Sequence, residues 1–506
     1  MSPTPLPRGA APFDTTGITR GADGIARYDH LAPSVVAMVR ASVERHPDVE
    51  ALVEVGGERV TYAQLWDRAA RVAGGLVGGG VRRGDRVASL LPAGLDWVVG
   101  FLGTLLAGAV AVPVNTRFAA PEVEYVLSDS DAAAVLRPGE ALPAGHPEAL
   151  DDLVPGDLAA IFYTSGTTGR PKGARTTHRN FLSNVETAIR VIGIDRATGP
   201  SLRNLVSVPL FHVTGCNSQL LVQLALGGTT VVLPVFDGAT FVRTIVDERI
   251  DTLVSVPAIY GLTLARDDLG VDLSHVQRIS YGGAPIAPAL VRRLMERIPQ
   301  ARLGNGFGLT ETSSIATFLP HEWAAENADS VGFAAPVVDL ALADVDDAGV
   351  GELLIRGPNV VDGYWAAPEA TARTFVEGWL HSGDLARVDE GIVRIVDRAK
   401  DVINRGGENV YSVEVENALA GAPGVADAAV VGVPDDVMGE KVGAVLVGAD
   451  VDVDAVLAYL DTQIADFKVP QFVVVSPDPL PRNPGGKLLK RTLRDGTDWG
   501  PPVRGR

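Results

Sequence analysis

The sequence predicts an α/β protein: a large N-terminal domain of parallel-rich sheets and helices that carries a small β subdomain, followed by a small α+β C-terminal domain. Three observations predict it. The 506 residues exceed the size at which one hydrophobic core keeps growing, so at least two domains are expected. Helix-period segments alternate with short runs of branched apolar residues through the first two thirds, the rhythm of βα units around a parallel sheet. Beyond Val331 the spacing tightens to short strands and turns, and after Asp397 helices and strands mix in a compact tail, which places the domains at 1–397 and 398–506.

Taken in order, the opening MSPTPLPRGAAPFDTTG lacks the charged-then-apolar pattern of a secretory signal and reads as a frayed start. Thr61 and Gln64 form a capping box, and Leu65, Ala69, Val72 and Leu76 then mark one face of a helix that runs to Gly78. A turn at Arg83, Gly84 and Asp85 leads into a strand from Arg86 to Leu91. The uncharged stretch from Trp97 to Val114 has nearly the length of a membrane span, but Gly100, Gly103, Gly108 and Pro113 punctuate it as a buried helix followed by a buried strand. Buried parallel strands are predicted at Leu158 to Tyr163, Leu205 to Leu210, Thr230 to Leu233 and Thr252 to Val256. The β subdomain has strands at Gly351 to Arg356 and Gly391 to Val396, and the tail has helices near Val413 to Ala420 and Val453 to Ile464. Neither an internal repeat nor a low-complexity tract is present.

Composition narrows the function classes. With 46% hydrophobic and 21% charged residues the chain is an ordinary globular protein. A net charge of -18 and the lack of any basic run argue against a nucleic-acid partner, while leaving room for small anionic ligands. The single cysteine, Cys216, excludes an internal disulfide and a cysteine-based zinc site, and fits the reducing cytoplasm. No integral membrane association is expected, and the oligomeric state stays open, a homodimer being one option.

The chemistry concentrates in the run YTSGTTGRPKG from Tyr163 to Gly173, directly after a predicted strand. Gly166 and Gly169 free the backbone to wrap an anion, Ser165, Thr167 and Thr168 add hydroxyls beside Thr164, and Lys172 adds a point charge. The run reads as a triphosphate cradle rather than a flexible glycine loop. Its spacing departs from the P-loop of kinases and GTPases, because Arg170 and Pro171 separate Gly169 from Lys172 and no Ser or Thr follows the lysine.

These eleven positions resemble the signature of the adenylate-forming enzymes, and from about Leu31 to Arg494 the chain is similar to the acyl-CoA synthetase branch of that family. The resemblance implies roles residue by residue. PLFHVTG at 209–215 looks like the segment that brings a ring to the acyl pocket, here His212, with Val213, Cys216, Val256, Gly282 and Gly308 as further pocket residues. GGAP at 282–285 looks like the adenine-side loop, with Gly283 and Ala284 beside the base. GFGLTET at 306–312 is similar to the segment in which Phe307 stacks on adenine, Thr310 bonds the α-phosphate and Glu311 holds magnesium.

Downstream, Asp384 in WLHSGDL falls where the family's carboxylate accepts both ribose hydroxyls. DRAKD at 397–401 resembles the interdomain hinge, with Arg398 near the ribose and Lys400 at the pivot, so the C-terminal domain is expected to be mobile. RGGEN at 405–409 resembles the coenzyme A loop, with Gly406, Gly407, Glu408 and Asn409 lining the pantetheine tunnel. Lys487 in PRNPGGKLL falls on the adenylation lysine. The resemblance therefore implies ATP, magnesium ion and coenzyme A acting on a small carboxylic acid, with Lys487, Thr310, Glu311 and His212 as catalytic candidates.

Phe307 stands where the family usually has Tyr, Asp397 where Gly is common, and Ser412 where Pro often follows, with Ser412 expected to cap the helix from Val413. Three rival readings stand beside the ligase. An amino-acid adenylation module loading a carrier protein needs an Asp after Phe211 to pair the substrate ammonium, and His212 stands there. A luciferase-type oxygenase shares the motifs. A protein that only binds an acyl-adenylate would not need Lys487 or Glu311. His212 and Cys216 lie four apart, but no orienting Asn or Asp makes them a thiol–base pair.

Overall fold

The computed structural model describes residues 3–9, 11–164, 170–264, 270–284, 286–406, 408–482 and 488–504. The chain divides into two compact units. Met1–Ala341, Leu354–His381 and Asp389–Val393 make the first, and Leu342–Leu353, Ser382–Val388 and Arg394–Arg506 the second.

In the first unit a nine-stranded sheet has the order Phe333–Ala334, Thr317–Leu319, Arg302–Phe307, Arg278–Gly282, Thr252–Ser255, Arg203–Val206, Thr229–Val232, Glu50–Glu54, Arg59–Thr61. Its central strands pair in parallel, and antiparallel strands close both edges. Parallel strands covered on both faces lack a polar side, which is why they read as unbroken apolar runs. A core of Val53, Leu205, Val231, Phe241, Leu253, Ile279 and Leu303 forms around it.

A second sheet has the order Ala132–Leu136, Arg86–Ser89, Val110–Pro113, Leu158–Thr164, Lys172–Thr177. The first four strands are parallel and the last is antiparallel.

Two sequence features settle two helices of this unit. The capping box forms: Thr61 Oγ1 accepts the Gln64 N–H at 3.3 Å and Gln64 Oε1 accepts the Thr61 N–H at 3.0 Å, opening the helix Tyr62–Gly78. The apolar stretch becomes the helix Leu95–Leu106 and the strand Val110–Pro113. Its glycines permit close packing rather than breaking the helix, since a Cβ on Gly103 would sit 2.6 Å from Val72 Cγ1. Among the described residues no helix is long and apolar enough to cross a membrane.

Several boundaries differ from expectation, the strand predicted to reach Leu91 ending at Ser89 among them, and three have a visible cause. The strand predicted to reach Leu210 ends at Val206, because Pro209 has no N–H for a ladder and its carbonyl instead accepts the His212 N–H at 3.0 Å. The helix predicted to reach Ile464 is Val453–Leu460, where the Thr462 hydroxyl donates to the Tyr459 carbonyl at 2.7 Å in place of a further helical turn. The helix expected from Val413 is Ser412–Leu419, and Ser412 does not cap it; Tyr411 is the N-cap and the serine hydroxyl points elsewhere.

The second unit is built on Glu408–Val410, Ile403–Arg405, Gly439–Val447 and Asp427–Asp435, with Phe472–Val475 parallel to Gly439–Val447. Val415, Leu419, Val430, Val442, Leu446, Val456 and Leu460 form its core.

A buried histidine sets a pH limit on the first unit. His178 is 2% exposed, and its Nδ1 accepts the Val35 N–H at 3.2 Å, at the start of the helix Val35–Arg45. Burial pushes the ring down to about 4, against a weaker upward pull from Asp157. An unfolded ring protonates near ~6.5, so this contribution is complete above that pH and is lost as pH falls toward about 4, some ~3 kcal/mol in all. The urea midpoint of the wild-type chain should fall more steeply than that of His178→Gln over this window; parallel curves would exclude His178 as the cause.

Candidate active site

The loops that carry Gly283 and Ala284, and Gly308 to Glu311, leave the carboxyl ends of two neighbouring parallel strands, Arg278–Gly282 and Arg302–Phe307, where open α/β sheets bind ligands. Gly282 pairs with Gly306, so Gly283 and Ala284 emerge beside Phe307 and Gly308. The strands approach closely there: a Cβ on Gly282 would lie 2.2 Å from the Gly306 carbonyl oxygen. Gly283 has φ +76, and a Cβ on it would meet only Val256, at 3.8 Å. Register thus brings Val256, Gly282, Gly283, Ala284, Phe307 and Gly308 to one rim.

Thr310 and Glu311 follow on the short helical turn Thr310–Thr312, and a strained turn fixes them. Ser313 and Ser314 have φ of 54° and 118°, conformations that cost roughly 1–3 kcal/mol each outside glycine. Buried polar side chains hold them. Asn217 Nδ2 donates to the Ser313 carbonyl at 2.7 Å, Ser218 Oγ to Ser314 Oγ at 2.8 Å, and Asn184 Oδ1 accepts the Ile315 N–H at 2.8 Å. Asn359 Nδ2 donates to the carbonyls of Thr312 and Ile315 at 3.0 and 2.9 Å. Position 308 must be glycine here, since a Cβ would lie 1.4 Å from the Ser314 carbonyl oxygen.

Asn217 and Ser218 come from the π-helix Thr214–Leu221, which follows His212 and Val213. Cys216 in that helix is fully buried, its N–H bonds the His212 carbonyl at 3.0 Å, and burial pushes its thiol far above the range of a reactive cysteine. The pair is no thiol–base dyad. His212 stacks at a tilt on Phe211, with ring centroids 4.8 Å apart.

The second sheet delivers the cradle's ends. Thr164 and Lys172 face each other across the antiparallel pair Leu158–Thr164 and Lys172–Thr177, so the chain leaves the glycine run as a strand. In a P-loop it would leave as a helix. The stem is braced: Asp129 accepts the Tyr163 hydroxyl at 2.6 Å, and the Arg170 guanidinium lies 5.1 Å from the Tyr125 ring centroid.

Lys172 and Glu311 meet through a residue that no motif singled out. Tyr364 donates its hydroxyl to Glu311 Oε1 at 2.7 Å, and the Lys172 ammonium sits 5.2 Å from the centre of its ring. The pairing spans 53 residues to Glu311 and nearly 200 to Lys172, beyond the reach of local pattern. Glu311 Oε2 has no partner among the described residues, and a carboxylate oxygen is the right donor for magnesium. Among the described residues no group of three or more His, Cys, Asp and Glu gathers.

In the second unit Asp384 and Arg398 come together, with Nε and Oδ1 2.9 Å apart. Asp384 is 5% exposed, and its N–H bonds Ser382 Oγ at 3.1 Å. Lys400 is exposed in the turn after Ile392–Arg398. Gly406 has φ +63 in the hairpin that pairs Arg405 with Glu408, and Glu408 and Asn409 are exposed. Ser165, Gly166, Thr167, Thr168, Gly169, Gly407 and Lys487 lie outside the described residues.

Asp397 and Ser412, two of the departures noted in the sequence, are bonded to each other. The Asp397 carboxylate accepts the Ser412 N–H and its hydroxyl, the latter at 2.7 Å. Lys490 Nζ donates to Ser412 Oγ at 2.6 Å and pairs with Glu416 at 2.8 Å, and Glu416 also accepts the Val430 N–H at 2.9 Å. Burial raises both carboxyls above their ordinary range, against the pull of Lys490.

The family model described as AMP-binding enzyme matches residues 39–149 and 137–365, and that described as AMP-binding enzyme C-terminal domain matches 414–487. The chain belongs to the AMP-binding enzyme family, in its acyl-CoA synthetase branch. It is 38% identical over 472 residues to a feruloyl-CoA synthase of Amycolatopsis, covering 87% of this chain and 95% of the relative. It is 34% identical over 497 residues to the long-chain-fatty-acid–CoA ligase FadD13 of Mycobacterium tuberculosis, covering 90% and 97%. Among solved structures, o-succinylbenzoate CoA synthetase of Bacillus subtilis in complex with its acyl-adenylate intermediate superposes with a TM-score of 0.83 at 28% identity, covering 92% and 99%.

Proposed function

We infer that this acyl-CoA synthetase activates an apolar carboxylic acid, fatty or aromatic, as its adenylate with release of pyrophosphate, and then passes the acyl group to coenzyme A with release of AMP. The observation that carries it is the junction of Glu311, Tyr364 and Lys172 beside the rim formed by Gly283, Phe307 and Gly308. A carboxylate cannot expel oxide to a thiol, so the acid first needs a better leaving group, and AMP is one. In the first step Thr310 donates to the α-phosphate, Lys172 holds the outer phosphates, and Lys487 stabilises the charge that grows as the acid attacks. Magnesium at Glu311, when bound, neutralises phosphate charge. Asp384 and Arg398 orient the ribose.

The second step needs the thiol to reach the acyl carbon from a side that Lys487 obstructs. A rotation of the C-terminal residues about Lys400 withdraws the lysine and presents Gly406, Gly407, Glu408 and Asn409. Leu210, Val213 and Cys216 are buried and uncharged, which supports an apolar acid, as do the relatives that act on feruloyl and long-chain fatty acyl groups. The single buried cysteine supports a cytoplasmic setting.

Pyrophosphate release measured over a panel of phenylpropenoic, benzoic, fatty and amino acids, with and without coenzyme A, tests this. Release with an aromatic or fatty acid, and acyl-CoA only when coenzyme A is added, is the expected result. Release confined to amino acids, or none at all, overturns it; adenylation without any thioester from free coenzyme A points to a carrier protein as acceptor.

A further inference from the structure

We propose that Tyr364 is a positioning residue for adenylation: its ring and hydroxyl hold Lys172 and Glu311 as two separate charges, ready for magnesium-bound ATP. The inference rests on the reading of Glu311 as the metal carboxylate and Lys172 as the phosphate cation.

An ammonium and a carboxylate separated by one side chain, in a half-buried setting, tend to close into an ion pair that an incoming nucleotide must then break. Here the phenol stands between them. Its face takes the ammonium at 5.2 Å and its hydroxyl takes Glu311 Oε1 at 2.7 Å. Among the described residues the charged groups of Lys172 and Glu311 make these two contacts and no ion pair. Among the described residues this leaves the lysine's N–H groups open for phosphate oxygens and Glu311 Oε2 open for a metal.

The tyrosine itself has little freedom. It is 8% exposed, and the chain around it lies along the strand Lys172–Thr177. Gly363 accepts the Arg175 N–H at 3.1 Å and Gly173 accepts the Trp365 N–H at 2.7 Å. The Tyr364 N–H donates to Thr371 Oγ1 at 2.9 Å, and the Phe375 ring meets it edge-on at 5.6 Å. One element thus fixes the strand carrying the phosphate lysine and the turn carrying the metal carboxylate relative to each other.

The test uses the full chain and Tyr364→Phe, which keeps the ring and removes the hydroxyl, alongside Tyr364→Leu, Glu311→Gln and the double variant Tyr364→Phe/Glu311→Gln. Two readouts are taken: calorimetric binding of magnesium-ATP without acid, and pyrophosphate release with the best acid. Loss of one charge-assisted hydrogen bond should weaken magnesium-ATP binding and raise its KM by about 10-fold or more in Tyr364→Phe, with kcat at saturation and the KM for the acid within about 2-fold of wild type. Tyr364→Leu should lose more. In the Glu311→Gln background the Phe substitution should add little, because Tyr364 acts through that carboxylate.

Unchanged magnesium-ATP binding in Tyr364→Phe overturns the proposal, and so do additive losses in the double variant or a fall in kcat alone. Should the leucine variant fail to fold, the phenylalanine pair still decides. A wild-type chain that binds magnesium-ATP but releases no pyrophosphate with any acid removes the ligase reading, while the binding arm still judges the role of Tyr364.

Discussion

Replacing Lys487 by alanine should slow acyl-adenylate formation by on the order of 10²-fold or more while leaving thioester formation from supplied acyl-adenylate nearly intact. The asymmetry follows from chemistry. In the first half-reaction negative charge builds on oxygens between the carboxylate and the α-phosphate, and a fixed cation there lowers the barrier more than it stabilises the ground state. In the second half-reaction that charge is absent and the thiol needs open space. Stopped-flow consumption of purified acyl-AMP, compared with pyrophosphate release from ATP, separates the two. An equal loss in both would remove the division of labour between Lys487 and the coenzyme A loop.

Replacing Lys490 by alanine should destabilise the second unit by about 3–5 kcal/mol, the scale of breaking a buried ion pair from one side. Lys490 is the only cation at 2.8 Å from Glu416 among the described residues, and it also supports Ser412, which serves Asp397. Both carboxyls already sit above their ordinary range through burial. Without the ammonium they rise further, and an acid raised in the folded state contributes best below its unfolded value near ~4 and costs stability as pH climbs. The denaturation midpoint of Lys490→Ala should therefore drop with rising pH from about 4 upward, opposite in sign to the His178 effect. A pH-independent loss would locate the damage in packing alone.

The parts of this molecule legible in its sequence are those fixed by neighbours along the chain. The capping box at Thr61 and Gln64, the buried helix and strand within 95–113, and the glycine run between Thr164 and Lys172 all depend on spacings of a few residues. The motif residues could be given roles only through resemblance, because no local pattern says that Gly282 and Gly306 lie side by side. What stayed hidden rests on distant partners. Tyr364 sits in a segment that carries no recognisable motif, and its meaning comes from two groups brought to it by separate sheets. The strain at Ser313 and Ser314 was equally invisible, since two serines after a threonine carry no sign of left-handed backbone until Asn217, Asn184 and Asn359 are seen holding them. Ser412 was misassigned for the same reason: a serine at a helix start is ordinarily a cap, and only the tertiary fold sets Asp397 within its reach.

That last contact bears on how the chain can be recombined with its kin. A proline at 412 has neither the amide hydrogen nor the hydroxyl that Asp397 draws on, and a glycine at 397 leaves Ser412 nothing to donate to. The two positions form a single heritable unit split across fifteen residues. Hybrid enzymes assembled from this chain and a parent with the glycine–proline combination should keep their crossover outside 397–412, so that both residues descend from the same side.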